Sequence, residues 1–230
     1  MTPKISTLLK TNFESEAYKS AYRKIIGIAI AGERQAVANY LSLQSLMPLE
    51  RGTLLIFSRM ERAHADAFAE CAKDLDVYPD TEFGEKILAS IHANFQTALN
   101  NEDLVSSLLI QSILIESFSL SAYKVYVKVA HLSAQTRTSR VIADEAIHLN
   151  FSQNWMRSRR AEIRREFFQS NRENLPLIHH MLNQFSDDAR AIGLKKIHLI
   201  ISFIREYQKA LTEIGYNFID RLILTVPLFF

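Results

Sequence analysis

Apolar residues along the chain recur three and four positions apart, the spacing that places side chains on one face of an α-helix. This pattern predicts helices over about 15–47, 49–75, 82–99, 104–127, 140–159, 172–186 and 187–214. We expect residues 1–13 to form a loose arm and residues 133–139 a polar link, and we find no useful length of strand-like alternation. The pattern predicts an all-α fold, in a single domain that spans residues 1–230.

Local signals place several of the helix ends. Ser15 is a typical N-cap for the first helix, and Pro48 is expected to stop it. Pro176 is expected near the beginning of the helix predicted over 172–186, because proline suits the first turn. Gly215 is expected to end the last long helix.

The stretch 104–127 is almost wholly apolar but carries one acid, Glu116, near its middle. An ionised carboxylate in such surroundings is costly unless a cation, a hydrogen-bond network or a metal ion pairs with it. The nearest cation on the same helix, Lys124, is two turns away. We therefore expect the partner of Glu116 to come from another helix.

The motif Glu-x-x-His occurs twice, at Glu61–His64 and at Glu145–His148, and another Glu, Glu33, lies on the first apolar helix. Random placement of the 16 Glu and 7 His would give about 0.5 such motifs, so one would be weak evidence. The whole pattern repeats, however. Glu33 precedes Glu116 by 83 residues, and each Glu-x-x-His residue precedes its counterpart by 84.

One Glu from each of two helices and a Glu-x-x-His from each of two more is the ligand set of a carboxylate-bridged di-iron or di-manganese bundle. Both metals accept carboxylate oxygens and imidazole nitrogens. We therefore predict a two-metal core that holds iron or manganese. The six ligands predicted are Glu33, Glu61, His64, Glu116, Glu145 and His148, and either Glu61 with Glu145 or Glu33 with Glu116 could bridge.

Several polar side chains are expected near this core. Tyr123 is seven residues after Glu116, and Tyr40 is seven after Glu33, so both are candidates for hydrogen bonds to the ligands. Gln111 lies in the apolar run and needs a buried partner, while Asp144 could orient a ligand imidazole.

Composition limits the other function classes. A net charge of +2 is too small to indicate nucleic-acid binding, and the single cysteine excludes an internal disulfide or a multi-cysteine metal site. We find no signal-peptide pattern and expect no transmembrane segment, so we expect a cytoplasmic protein. The arginines at 157, 160 and 164 share one side of a helix, which is either a solvated face or a docking site for an acidic protein.

These motifs, together with SEAYKSAYRKIIGIAIAGE (15–33), LLIQSILIESFSLSAY (108–123) and DEAIHLNF (144–151), carry a family resemblance. The chain resembles the cyanobacterial aldehyde-deformylating oxygenases, or aldehyde decarbonylases, of the ferritin-like di-iron superfamily. The resemblance implies a ferritin-like helical bundle with additional packing helices around the di-metal carboxylate core. The six predicted ligands fall on the family's iron ligands, and Tyr123, Asp144 and Gln111 match residues near its site.

The resemblance also implies an activity in alkane biosynthesis. Such an enzyme converts a long-chain fatty aldehyde, with dioxygen and four electrons, to an alkane one carbon shorter plus formate. A ferredoxin-type donor supplies the electrons, and an acyl-carrier-protein reductase supplies the aldehyde. An apolar channel would hold the alkyl chain, and its expected wall is Ile25, Ile28, Ala29, Tyr40, Phe68 and Phe118, beside Tyr123.

The chain departs from the family pattern at four positions that are not ligands. Ala31 and Ala146 stand where the family usually has Glu and Tyr, and Ile87 and Leu88 stand where it often has two Phe. These departures indicate a divergent member, with a change in chain-length preference, in partners or in activity.

Three other functions fit parts of the pattern. One is a different di-metal oxidase or oxygenase, such as an N-oxygenase or a desaturase-like enzyme with another apolar substrate. The second is a ferritin-like ferroxidase or metal-binding protein, which would assemble into a cage, whereas we expect a monomer. The third is a non-catalytic relative, which would have no reason to retain six ligands.

Overall fold

The computed structural model describes residues 12–229, and within that range all regular secondary structure is helical and there is no strand. The all-α prediction is therefore confirmed. The main helices are α1 (Glu16–Leu43), α2 (Arg51–Lys73), α3 (Thr81–Asn100), α4 (Leu104–Leu108), α5 (Glu116–Tyr126), α6 (Leu132–Gln184), α7 (Ser186–Ala191), α8 (Lys196–Ile214) and α9 (Phe218–Thr225). A π-helical segment, Leu109–Ile115, joins α4 to α5, and 3-10 turns cover Pro48–Glu50 and Val226–Phe229. Most of the expected arm, residues 1–11, lies outside the described range.

The first half of the chain follows the sequence signals closely. The Ser15 hydroxyl caps α1 by accepting a hydrogen bond from the Tyr18 N–H at 3.3 Å. Pro48 begins the 3-10 turn that separates α1 from α2, as expected of a residue that cannot continue a helix. The predicted helices at 49–75 and 82–99 correspond to α2 and α3 within two residues at each end.

The prediction for the middle of the chain is wrong, because 132–184 is one helix of 53 residues. The expected polar link over 133–139 lies inside it, and so does Pro176. The link residues look polar, yet buried positions at helical spacing continue through them: Ala134, Thr138, Val141, Glu145 and His148. Near Pro176, the fully buried Leu175 and Ile178 hold the helix in place, so core packing outweighs the hydrogen bond that proline removes.

The helix predicted over 187–214 is also two helices, α7 and α8, with Gly193 between them at a φ of 91°. Side chains with a Cβ rarely adopt that backbone conformation, so the glycine ends α7. Gly215 ends α8 as predicted, with a φ of 98° and its N–H bonded to Leu211 and Thr212 carbonyls. The apolar tail, for which no element was predicted, forms α9 and the last 3-10 turn.

Four helices, α1, α2, α5 and α6, surround a common core, and α3, α7, α8 and α9 pack outside them. The segment Leu104–Tyr126 is long and apolar enough to cross a membrane by composition, but 78% of its most apolar window is buried inside the fold. Its apolar character therefore reflects its position in the centre of the bundle.

The arginines predicted to form a solvated or docking face are exposed, and they also bind the C-terminal part of the chain. Arg157 forms an ion pair with Glu213 at 2.9 Å, and Arg164 forms one with Asp220 at 2.6 Å. Arg160 donates to the Gly215 carbonyl. Together they hold the turn between α8 and α9 against α6.

Helices α1 and α3 cross at a pair of glycines. A Cβ on Gly84 would lie 2.5 Å from the Gly27 carbonyl oxygen, and a Cβ on Gly27 would collide with the Asp80 backbone. Only a residue without a side chain permits this approach.

We predict that Gly84→Ala destabilises the protein by about 2–3 kcal/mol, because backbone atoms must move apart to admit the methyl group. Gly52→Ala is the matched control, since Gly52 is helical and exposed and has no atom within 4 Å of its Cβ position. That control should leave the free energy of unfolding unchanged or raise it by up to about 1 kcal/mol. Urea denaturation of both variants tests this, and equal stabilities would contradict it.

Candidate metal centre

Each of the six predicted ligands is buried, and the bundle brings all six together. Glu33 comes from α1, Glu61 and His64 from α2, Glu116 from the beginning of α5, and Glu145 and His148 from α6. Three-residue spacing places each Glu-x-x-His pair on one face of its helix. The ligand atoms form two overlapping groups within which all atoms lie within 4.8 Å of one another.

The first group surrounds the Nδ1 atom of His64. This nitrogen lies 3.0 Å from Glu61 Oε2, 3.5 Å from Glu33 Oε2 and 3.6 Å from Glu145 Oε1. Three carboxylates from three different helices therefore converge on one imidazole nitrogen, which is the arrangement expected around a cation.

The second group surrounds the Nδ1 atom of His148. It lies 3.0 Å from Glu61 Oε1, 3.6 Å from Glu145 Oε2 and 4.0 Å from Glu116 Oε2. Glu61 and Glu145 thus face both histidines, each with a different oxygen, whereas Glu33 faces only His64 and Glu116 only His148. Of the two bridging pairs left open by the sequence, this geometry favours Glu61 with Glu145.

Several ligand atoms have no hydrogen-bond partner within the described chain, although they are buried. These atoms are Glu61 Oε1, Glu145 Oε2 and both ring nitrogens of His148. Buried polar atoms in proteins are normally satisfied, so this cluster of unpaired atoms fits a missing partner of opposite charge. Four carboxylates and two imidazoles suit two divalent metal ions, because four negative charges balance four positive ones.

Without such ions, the ionised form of the buried carboxylates Glu61 and Glu145 is unfavourable. Burial, together with repulsion from Glu116 and Glu33, raises the pKa of Glu61 to about 8. Burial likewise raises the pKa of Glu145 well above its ordinary value. Burial alone would lower the pKa of His64, but hydrogen bonds and attraction from Glu33 and Glu61 raise it to about 11. In the metal-free cluster, protons on these groups therefore provide the positive charge that metal ions would provide.

Asp144, which the sequence suggested could orient a ligand imidazole, lies beside His64. Its Oδ2 is 3.1 Å from His64 Nε2, on the side of the imidazole that faces away from the carboxylates. A proton on Nε2 would be donated to Asp144, which leaves the Nδ1 lone pair directed into the cluster. Asp144 is thus placed to select the tautomer that can bind a metal.

Two tyrosines donate hydrogen bonds to Glu33 and Glu116, the carboxylates that each face only one histidine. The Tyr123 hydroxyl donates to Glu33 Oε1, and the Tyr40 hydroxyl donates to Glu116 Oε1 at 2.6 Å. Burial is the largest cause that raises the pKa of each tyrosine well above its ordinary value, so both hydroxyls stay protonated as donors.

Gln111 also donates to Glu116 Oε1, at 3.2 Å, across a spacing of five residues. Residues five apart point in different directions on an α-helix, but the π-helical segment that contains Gln111 brings them to the same side. Asn39 completes the arrangement by donating to Gln111 Oε1 at 2.6 Å. Sequence analysis missed Asn39 and the π-helical segment, although Asn39 precedes Tyr40 directly.

An apolar cavity of about 820 Å³ of empty space, counting its opening to solvent, lies beside the cluster. Five residues expected in the channel wall line it, together with Tyr123: Ile25, Ile28, Ala29, Phe68 and Phe118. Tyr40 is not among the described residues that line it and binds Glu116 instead. Leu88, one of the departures from the family pattern, also lines the cavity.

Comparisons with known proteins agree with this geometry. The profile of the long-chain fatty aldehyde decarbonylase family matches residues 15–226. A solved structure, described as protein 19 with aldehyde deformylating oxidase activity from Synechococcus, is 29% identical to this chain, with a TM-score of 0.92. The alignment covers 94% of this chain and 99% of that one.

We predict that the metal-free protein loses stability as the pH rises from about 5 to 8. Glu61 releases its proton near pH 4.5 when unfolded but near 8 when folded, so the folded state binds more protons across this interval. His64, whose pKa is raised on folding, acts in the same direction above its ordinary value of 6.5. Urea denaturation in chelator at both pH values should show a loss of about 2 kcal/mol or more.

Adding a divalent ion should reverse this trend, because the cation replaces the protons, and the stabilisation should be larger at pH 8. The metal-free Glu61→Gln variant should lose less stability than the wild type over the same interval. A wild-type stability that does not change with pH in chelator would contradict the prediction.

Proposed function

This chain belongs to the long-chain fatty aldehyde decarbonylase family, and we propose that it deformylates long-chain fatty aldehydes at a di-iron centre. The products would be an alkane one carbon shorter and formate, with dioxygen and four electrons consumed. The observation that carries the proposal is the contact between a buried cluster of four Glu and two His and an elongated apolar cavity that runs along α1.

In this proposal, Glu33, Glu61 and Glu145 with His64 would hold one ion, and Glu61, Glu116 and Glu145 with His148 would hold the other. Glu61 and Glu145 belong to both groups, because each directs one oxygen toward each histidine. Two iron ions held there would supply the redox chemistry that oxygen activation and carbon–carbon cleavage require, and manganese is the alternative metal.

The cavity supports the choice of a long-chain substrate. It extends along α1 from Gly32 to Tyr22, ten residues apart, or about 15 Å at the rise of an α-helix. Burial of an alkyl chain in such a cavity contributes roughly 0.8 kcal/mol per methylene. The binding free energy of the substrate would therefore depend on the length of its alkyl chain, independently of the reaction at the aldehyde group.

The aldehyde group would lie at the Tyr123 end of the cavity. Tyr123 lines the cavity, and its hydroxyl also donates to Glu33, so this side chain connects the substrate site to the ligands. Ile115 and Gly32, which directly precede Glu116 and Glu33, line the same end. The apolar wall would exclude water from the head group, and the Tyr123 hydroxyl would hold its proton at the boundary.

The other hydrogen bonds would keep the ligands in position. Asp144 would hold the proton on His64 Nε2, and Tyr40 and Gln111 would hold Glu116 through one oxygen. The second oxygen of Glu116 then remains free to face His148.

We further propose dioxygen as co-substrate, a ferredoxin-type electron donor, an acyl-carrier-protein reductase as the source of aldehyde, and a cytoplasmic location. Each of these follows from the family resemblance of the sequence. We also propose that the enzyme acts as a monomer, because each of the six ligands comes from this one chain.

Product analysis tests the reaction. Protein loaded with ferrous iron should convert octadecanal to heptadecane and formate in equal amounts when dioxygen and a reducing system are present. Glu61→Ala should abolish both products, because it removes a ligand shared by the two groups. Glu70→Ala, an exposed position on the same helix, should retain activity. Iron binding without alkane or formate would contradict the substrate assignment, and failure to bind iron would contradict the metal centre.

We predict that Ala29→Phe shifts the preference toward shorter aldehydes. Ala29 lines the cavity, so a benzyl group there occupies space needed by a long alkyl chain. Activity on octadecanal should fall about tenfold or more relative to activity on decanal, since each displaced methylene loses its burial. Ala161→Phe, at an exposed position on α6, is the control. An unchanged ratio of the two activities in Ala29→Phe would contradict this use of the cavity.

A further inference from the structure

Asn39 is a buried polar residue of α1, and its side chain is 1% exposed. In the described part of the chain, its one side-chain hydrogen bond runs from Nδ2 to Gln111 Oε1 at 2.6 Å, and its Oδ1 is buried without a partner. An apolar residue of similar size would avoid the cost of that unpaired oxygen. The contact with Gln111 is therefore the polar interaction that accounts for an asparagine at this position.

The Gln111 amide lies between Asn39 and a carboxylate. Its Nε2 donates to Glu116 Oε1 at 3.2 Å, so its oxygen must face the other way. If the amide turned by 180°, its oxygen would face the Glu116 carboxylate, and two acceptors would repel each other. The outward-facing oxygen of Gln111 is buried and needs a donor, and Asn39 supplies it.

This orientation determines how Glu116 is held. Gln111 and Tyr40 both donate to its Oε1, and its Oε2 lies 4.0 Å from His148 Nδ1. Without Asn39, the Gln111 oxygen would be left unpaired in the core, which favours a rotation of the amide away from Glu116. Glu116 would then keep the hydrogen bond from Tyr40 alone, and its second oxygen would be less firmly directed to the His148 side.

We propose that Asn39 is a positioning residue for the metal ion held by Glu116 and His148. It is hydrogen-bonded to neither of them and acts through the Gln111 amide. This inference rests on the two-metal centre of the proposed function. Hydrogen-bond partners that orient metal ligands commonly change metal affinity by about 10–100-fold when they are removed.

The effect should be confined to one of the two ions. Glu33, the carboxylate on the His64 side, accepts a hydrogen bond from Tyr123 and none from Gln111 or Asn39. Loss of Asn39 should therefore leave that side of the centre almost unchanged. A general loss of stability would weaken the binding of both ions.

Titration of the metal-free, full-length protein with Co²⁺, followed by its absorption, measures both affinities without the reaction. We expect the wild type to bind two ions per chain. Asn39→Leu should weaken the binding of one ion about tenfold or more and change that of the other by less than about twofold. Circular dichroism melting checks that the variant is folded, and Asn39→Ser, too short to reach Gln111, replaces it if it is not.

A double-mutant cycle tests whether Asn39 acts through Gln111. Gln111→Leu should weaken the same ion, and the double variant Asn39→Leu/Gln111→Leu should bind it within about twofold of Gln111→Leu alone. The losses in Asn39→Leu and Tyr123→Phe should instead add, because Tyr123 contacts the other outer carboxylate. A merely structural role for Asn39 would give additive losses in both pairs.

Asn94→Leu is the matched control. Asn94 also donates to a side-chain amide, Asn174 Oδ1 at 2.9 Å, and its acceptor is likewise buried. This amide pair joins α3 to α6 and is not hydrogen-bonded to the six ligands. The control should bind both cobalt ions within about twofold of the wild type.

Three results would overturn the inference. The first is binding of both ions by Asn39→Leu with wild-type affinity. The second is an additive loss in Asn39→Leu/Gln111→Leu, and the third is an equal loss in Asn94→Leu and Asn39→Leu. A wild type that binds fewer than two cobalt ions would contradict the two-metal centre itself, and this inference with it.

Discussion

Four carboxylates buried in one bundle cannot all carry their charge unless cations enter with them. Glu33, Glu61, Glu116 and Glu145 are each at most 4% exposed, and the cations closest to them in the described chain are the two histidines. Desolvation and mutual repulsion would otherwise force protons onto these groups, as the raised pKa values of Glu61 and Glu145 indicate. The rest of the structure can be understood as the framework that keeps this cluster closed and gives it a substrate site.

Two unusual helical elements build this framework. The 53-residue α6 carries Glu145 and His148 in the bundle and, further along, the arginines that bind the α8–α9 turn. The π-helical segment before Glu116 directs Gln111 and Glu116 to the same side, so a buried amide can hold a buried carboxylate. A π-helical turn inside an α-helix is less favourable than regular α-helix, and such turns occur frequently at functional sites.

The cavity and the cluster meet at Tyr123. Its ring belongs to the apolar wall, and its hydroxyl belongs to the polar cluster, so one side chain separates the two environments. This arrangement explains how the apolar alkyl chain of the substrate can lie next to a charged site with no polar surface between them.

Sequence alone determined the fold class, the six clustered side chains and most of the cavity wall. The fold class and the clustered side chains follow from local rules: helical spacing sets which residues share a face, and a carboxylate in an apolar helix needs a partner. The cavity wall was expected from the family resemblance. Glu33, Glu61, His64, Glu116, Glu145 and His148 could be selected on that basis, and Asp144, Tyr123 and Gln111 through the resemblance and their positions.

Only the tertiary structure decided how these parts meet. The polar residues 133–139 and Pro176 favour breaks, but packing of Ala134, Thr138, Leu175 and Ile178 against neighbouring helices keeps α6 continuous. Which oxygen of Glu61 or Glu145 faces which histidine depends on how α2 and α6 are positioned relative to each other. Likewise, the arginines of α6 look free in the sequence and are bound in the structure, because their partners come from residues more than 50 positions away. Local patterns carry no information about such distant contacts, and packing of the whole chain supplies it.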